Sequence, residues 1–333
     1  SFVLDCAGTV QVQLPAFESR VEAVSFGWEN DTLTPLPSVQ ATALNDDEAI
    51  YKALVLGLRD YVNKNYFPGV MIGLSGGVDS AITAAIAVDA LGADRVHCVM
   101  MPSPYTSKES LEDAAEAAKI LGCKLDIIPI QPAMDAFDGL LKEQFVQHAQ
   151  DTTEENIQAR SRGLILMAMS NKFGYMVVST GNKSEMSVGY ATLYGDMCGG
   201  YNVLKDVYKT RVYRLCAWRN THHGEGLMGP NGTAVPERII TKAPSAELKP
   251  DQKDQDTLPP YEDLDDMLYC LIEKEMSVAD IAARGYDIET VERVWRMLDR
   301  AEYKRRQAPP GVKITSRAFG RDRRYPLTNG FTA

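Results

Sequence analysis

The sequence has 333 residues, 45% of them hydrophobic and 24% charged, with a formal net charge of −10. That length allows one large domain or two small ones around a full core, and the composition is that of an ordinary globular chain. The acidic balance excludes a general nucleic-acid binder, and the longest apolar stretch, broken by Asp89, is too short to span a bilayer.

Ser1 stands where an initiator methionine is expected, and Phe2-Val3-Leu4-Asp5 reads like the middle of a strand, so a fragment of something longer or a processed product is expected. Residues 1–44 carry short alternating apolar runs (Val10, Val12, Leu14; Val21, Ala23, Val24) and then Thr32 to Ser38, which predict a pair of strands and a linker. Asn45, Asp46 and Asp47 supply an N-cap and first-turn acids for a helix to about Lys64. Strand and helix then alternate: strand 70–74, helix 79–91, strand 95–101, helix 107–121, strand 124–130, a long helical region and strand 175–179. Thr106 with Glu109, and Thr152 with Glu155, are candidate capping boxes. The alternation predicts an α/β fold, a doubly wound parallel sheet with ligands at the carboxyl ends of its strands.

From about residue 206 the pattern turns helical. A glycine-rich loop covers 220–236, and a polar linker covers 249–260. Helices follow near 261–275, 277–284 and 287–304, the second capped by Ser277 with Asp280. Between Arg300 and Arg324 nine Lys or Arg face only Glu302 and Asp322, a block for phosphate or subunit contacts or else a flexible tail. Tyr303, Phe319 and Tyr325 favour a segment that packs. The six cysteines form no Cys-x-x-Cys pair, which fits neither a zinc site nor a thiol redox motif and suggests reduced thiols in the cytoplasm, with Cys6 in the core.

The chemistry concentrates after the strand at 70–74, where Gly73-Leu74-Ser75-Gly76-Gly77-Val78-Asp79-Ser80 runs from strand into helix. Glycines let the backbone approach an oxyanion, and the unpaired amides of a first helical turn point at it. A bare Asp79 would repel phosphate there, so Mg2+ between Asp79 and the phosphates is expected. The loop matches neither the Gly-x-x-x-x-Gly-Lys-Ser/Thr nor the Gly-x-Gly-x-x-Gly pattern. It resembles instead the pyrophosphate loop of the ATP pyrophosphatases, which cleave ATP between its α and β phosphates. Strand 175–179 ends in Thr180, suited to a nucleotide contact, and Glu185 follows in the next helix, either a second metal ligand or a helix-start acid.

Taken in order, Ser75 to Ser80, Asn156 to Arg160, Ser179 to Glu185, Tyr194-Gly195-Asp196, Lys209, Lys242 to Leu248 and Tyr303 to Arg306 resemble the NAD+ synthetases, from about residue 46 to the C-terminus. Asn182-Lys183-Ser184-Glu185 and the long tail from Pro309 to Pro326 resemble the glutamine-dependent branch, in which a nitrilase-like glutaminase precedes the synthetase. The resemblance implies that residues 1–45 are the end of that glutaminase plus a linker, and 46–333 the synthetase domain. It implies ATP contacts from Gly73 to Ser80 and from Thr180, Lys209 and Ser245, Mg2+ on Asp79 and Glu185, and catalytic roles for Asp79, Glu185 and Lys209. It implies deamido-NAD+ contacts from Asn156, Arg160, Glu185 and Lys304. Read as residues alone, Arg160 and Lys209 could equally be solvated helix cations and Ser245 a helix cap. Met197-Cys198-Gly199-Gly200 departs from the acidic stretch of the shorter ammonia-dependent enzymes, so Gly200 carries no substrate contact and Asp196 only a candidate one.

The reaction implied is amidation of deamido-NAD+ through an acyl adenylate, with AMP and pyrophosphate released. Ammonia would come from glutamine in a longer protein and free from solution here, in a cytoplasmic homodimer or larger assembly. Pro102 to Ser107 and the 220–236 loop are the expected covers of the site. The alternatives are another ATP pyrophosphatase, such as GMP synthetase or a tRNA-modifying thiolase, and a nucleotide-sensing module that does not cleave ATP. A thiolase wants paired cysteines and a basic face, and Asp79 with Glu185 favours turnover over sensing.

Overall fold

Two short hairpins open the chain in the computed structural model, which describes all residues except 30, 225, 251, 329 and 331–333. Strand β1 (Phe2–Leu4) pairs antiparallel with β2 (Val10–Gln13), and β3 (Phe26–Glu29) with β4 (Thr32–Pro35). The expected linker at 32–35 is therefore strand, while 21–24 is not. Pro35 closes β4 at a sheet edge, where a missing N–H is tolerated.

Helix α1 (Asp46–Lys64) starts on Asn45, whose side chain accepts the Glu48 amide. The alternating segment follows as β5 (Val70–Gly73), α2 (Val78–Leu91), β6 (Val96–Met100), α3 (Lys108–Leu121), β7 (Lys124–Ile127), α4 (Gln131–Phe145), α5 (Thr152–Phe173) and β8 (Met176–Ser179). Helix α6 (Lys183–Val188) leads to β9 (Tyr201–Asn202), a two-residue strand that no apolar run announces. The five strands β5 to β9 are all parallel, in the order β7-β6-β5-β8-β9. Strand order reverses at β5, so the crevice of this doubly wound sheet opens at the ends of β5 and β8.

Both sheet faces are covered, which is why β5, β6 and β8 read as near-continuous apolar runs, interrupted within β6 by His97. Helices α1, α2 and α7 (Lys209–Thr221) pack together on one face, where every α2 residue except Asp79 is buried. On the other, Met71 and Val99 meet Ile165, Leu166 and Met169 of α5. The capping sites differ by one residue from expectation. Ser107, not Thr106, accepts the Ser110 amide, and Asp151 with Glu154 forms the box ahead of α5. Adjacent Ser, Thr and Asp residues have similar capping power, so the entry angle of the chain decides.

The loop at 220–236 lies away from the crevice. Asp89, fully buried, accepts Arg219 Nε (2.6 Å), the Tyr51 hydroxyl (2.6 Å) and the Gly229 amide (3.0 Å). Arg219 in turn donates to Pro230 O and Gly232 O. The expected cover is thus a strap tied down over an internal ion pair, although Glu225 lies outside the described residues. Asp89→Ala strands the guanidinium and should lower stability by about 3–5 kcal/mol, read as a lower urea midpoint.

After α8 (Glu237–Thr241), the stretch expected as a linker, whose Asp251 lies outside the described residues, folds inward through a 3-10 turn at 254–256 that buries Asp254. A helical cluster of α9 (Tyr261–Ile272), α10 (Val278–Ala282), α11 (Ile288–Arg300) and α12 (Glu302–Arg305) completes the chain. Buried Lys183 fastens it, bridging Asp206 (2.8 Å), Glu273 (2.7 Å) and Arg317 O (2.9 Å). The basic tail packs rather than hanging free. Arg305 and Arg306 pair with Glu302, Lys313 with Asp322, and Arg317 and Arg323 with Glu275. Arg305 also lies 4.7 Å from the Phe319 ring. Cys6 is exposed, not in the core, and Cys98 and Cys123 meet at 3.6 Å as free thiols.

Candidate active site

Strand β5 ends at Gly73, and Leu74 still donates to Val99 O (2.9 Å) before the chain turns. Gly76 takes φ +82°, and a Cβ on it would stand 2.3 Å from Ser110 O. Gly77 is the N-cap of α2 and offers no side-chain cap, which keeps the first-turn amides available to a ligand. Ser80 Oγ donates to Gly77 O (2.9 Å) and accepts Ser75 N (3.1 Å), cross-bracing the turn. All eight residues from Gly73 to Ser80 line a cavity of about 300 Å³.

Opposite them β8 delivers Thr180, then Asn182 as N-cap of α6 in a reciprocal box with Glu185. Asn182 Nδ2 donates to Asp79 Oδ1 (2.9 Å), so one asparagine both starts the helix and fixes the loop aspartate. Lys209 opens α7, bonds Asp79, stands 3.4 Å from Glu185 Oε1, and faces the Tyr261 ring at 5.3 Å. Burial, then the Asp79 charge, pushes Glu185 up to about 8. Burial opposes the charge on Lys209, yet the two carboxylates outweigh it and raise its pKa above the ordinary lysine value. Asp79 and Glu185 thus aim oxygens at one cation. Two hard carboxylate ligands suit an Mg2+ that completes its shell with phosphate oxygens and water. A closed protein cage is absent: no cluster of three or more His, Cys, Asp or Glu occurs among the described residues.

Thr180, Glu185, Lys209 and Ser245 line the cavity with the loop, and Thr106 lines it from the 102–107 turn. No helix follows Ser245, which rules out the cap. Its hydroxyl donates to Gln252 O (2.5 Å) and accepts the Glu247 amide (3.2 Å). Asn156, Arg160 and Lys304 are not on the cavity wall. They grip the loop behind it, through Thr192 Oγ1 (2.9 Å), Leu193 O (3.3 Å), and Gly189 O with Ala191 O (2.8 and 2.7 Å). Tyr190, Ala191 and Asp196 of that loop do line the cavity.

Among the wall residues that the sequence left without a role are Arg162, Glu247 and Asp254. Arg162 donates Nε to Met101 O (3.0 Å), and burial lowers its pKa to about 10, which leaves it charged at neutral pH. Glu247 closes the 242–248 segment onto α3 by accepting both Ser107 and Ser110 hydroxyls (2.8 Å each). Asp254 comes from the supposed linker. Two of them had a signal: Arg162 is a second arginine two positions after Arg160 on one helix, and Glu247 lies within the 242–248 segment that carries the resemblance.

A parallel sheet with reversed strand order, whose central strand ends in Ser-Gly-Gly-Val-Asp-Ser at a helix start, is the architecture of the ATP pyrophosphatase class. Within it the NAD synthase family matches residues 50–308, and the chain belongs to that family. It is 52% identical over 329 residues to a glutamine-dependent NAD(+) synthetase of Rhodobacter capsulatus, covering 99% of this chain and 60% of that protein. Among solved structures, a glutamine-dependent NAD+ synthetase from Acinetobacter baumannii, in complex with adenosine diphosphate, is 49% identical with a TM-score of 0.66, over 98% of this chain and 58% of that one. An NMN synthetase from Francisella tularensis is 28% identical with a TM-score of 0.64, over 78% and 96%. The chain therefore spans about 60% of the length of the curated relative it matches. These likenesses speak against GMP synthetase, a thiolase or a sensing module. No helix among the described residues is long and apolar enough to cross a membrane.

Proposed function

We propose that the chain catalyses ATP-dependent amidation of deamido-NAD+ to NAD+, a carbon–nitrogen ligation that releases AMP and pyrophosphate. The observation that carries this reading is the Asp79–Lys209–Glu185 cluster at the mouth of the glycine loop, in a member of the NAD synthase family. The nicotinate carboxylate attacks the α phosphorus of ATP, pyrophosphate leaves, and ammonia then displaces AMP from the acyl adenylate. Loop amides from Ser75 to Ser80 hold the departing phosphates, and Lys209 adds charge where negative charge grows. Asp79 and Glu185 would hold Mg2+, which neutralises phosphate charge when bound. The 242–248 segment, latched by Glu247, keeps water from the adenylate. Asn156, Arg160 and Lys304 set the 189–193 loop against the deamido-NAD+ that it contacts.

The test is pyrophosphate release with ammonium and three acceptors. Deamido-NAD+ should support it. Release with nicotinate mononucleotide alone, the acceptor suggested by the name of the Francisella relative, would change the substrate; release with xanthosine monophosphate alone would remove the reading.

We also assign residues 1–45 to a preceding glutaminase unit that would supply ammonia from glutamine. Val21, Trp28 and Phe2, 98%, 75% and 61% exposed, support an apolar partner surface there. A homodimer through α4 and α5 is the second assembly proposed. Helix α4 has no buried residue, and Leu140 (73%), Val146 (76%) and Leu164 (65%) stand exposed on this adjacent pair. Leu140→Glu with Leu164→Glu should halve the mass seen by light scattering; an unchanged mass refutes that interface. Free thiols, including Cys98 and Cys123, which share a hydrogen bond and not a disulfide, support a cytoplasmic setting.

A further inference from the structure

Asp254 takes part in no step described so far. Its side chain is 4% exposed and lines the cavity, close enough to feel the charges of Lys209 and Asp79. The 3-10 turn at 254–256 sets it in place, with Asp254 N donating to Pro244 O (3.3 Å). The Tyr261 hydroxyl donates to Oδ2 (2.8 Å), while Oδ1 has no hydrogen-bond partner among the described residues. Lys209 is committed to Asp79 and Glu185, and no ion pair reaches Asp254 among the described residues. Tyr190 also hydrogen-bonds this carboxylate: burial, then the Asp254 charge, raises the Tyr190 pKa, and burial likewise raises that of Asp254, which suits it to accept a proton.

A buried carboxylate with one free oxygen and two phenol rings beside it calls for a small monovalent cation with hydrogens to donate. A divalent metal prefers several hard oxygen ligands, and among the described residues no group of three or more His, Cys, Asp or Glu gathers at Asp254. We infer that Asp254, flanked by Tyr261 and Tyr190, binds ammonium and takes one of its protons, so that the ammonia left attacks the carbonyl of the acyl adenylate; the new C–N bond forms as AMP leaves, and the second proton passes to solvent. This rests on the amidation reading above.

The experiment follows pyrophosphate and NAD+ separately in the unsubstituted chain and in Asp254→Asn, with ATP, deamido-NAD+ and ammonium chloride at constant ionic strength. Losing one charge-assisted hydrogen bond should raise KM for ammonium about ten- to a hundredfold. KM for ATP should stay within about twofold, the mark of a change confined to one substrate. Pyrophosphate should outrun NAD+ as unconsumed adenylate hydrolyses. Equal rises in both KM values, or an unchanged KM for ammonium, overturn the inference and leave the amidation reading intact. If Asp254→Asn does not fold, Tyr261→Phe serves: it keeps the ring, frees Oδ2, and should shift KM for ammonium about threefold, with no shift counting against the inference. No pyrophosphate from the unsubstituted chain would remove the parent reading and this one with it.

Discussion

Lys209→Met should cut the rate of pyrophosphate release about 10²–10³-fold, the usual loss when one positioned donor to developing charge is removed. Methionine keeps most of the stem packed against Tyr261 and removes only the ammonium that bonds Asp79 and stands 3.4 Å from Glu185. A variant within about threefold of the unsubstituted rate would show that Lys209 only balances charge in the resting fold. The same substitution has a pH signature. Burial, then the Asp79 charge, pushes Glu185 up to about 8 from an ordinary 4.5, and Lys209 opposes that rise, so its loss pushes Glu185 higher. A carboxyl whose pKa is higher folded than unfolded favours the folded chain only while protonated, so stability falls as pH rises between the two values. Measured without divalent metal, the melting temperature of Lys209→Met should therefore fall more steeply than that of the unsubstituted chain from pH 4.5 to beyond about 8. A parallel fall would mean the carboxylates do not feel Lys209.

Gly76→Ala should abolish nucleotide use by geometry alone. The added methyl meets Ser110 O at 2.3 Å and Ser110 Cα at 2.9 Å, backbone atoms at the start of α3 that cannot swing aside, and the φ of +82° disfavours any side chain. Either α3 moves or the loop leaves its path, with an expected cost of about 2–3 kcal/mol and a fall of about a hundredfold or more in kcat/KM for ATP. Gly77→Ala is the matched control. Its Cβ meets nothing closer than Ser75 Oγ at 3.4 Å and its φ is −94°, so its melting should change little. Equal damage from both changes would mean the glycines act through chain flexibility, not through the contact with α3.

The contrast between these glycines and those of 220–236 explains one misreading. Glycine density there suggested a moving cover, yet a Cβ on Gly229 would stand 2.3 Å from Asp89 Oδ1, so that glycine serves close approach to a buried charge. Arg219 and Asp89 are 130 residues apart, and nothing local to either marks the other as its partner. Asp254 was hidden for the same reason: among Asp, Gln, Lys and Pro it looks like solvated linker until Tyr261 and Pro244 pull it inward. The capping sites at Ser107 and Asp151 show the limit at short range, where neighbouring residues of equal capping power leave the choice to backbone angle.

The alternation of strand and helix from β5 to β8 and the glycine loop were decided within a few residues of chain, because periodicity and turn geometry are short-range effects. Which carboxylates converge on Lys209, which loop is pinned, and that Asn156, Arg160 and Lys304 stand behind the wall instead of on it were settled only by folding. Those outcomes depend on burial and charge between segments far apart in the chain, where the free energy of a polar group is set by the partner that the packed core places beside it.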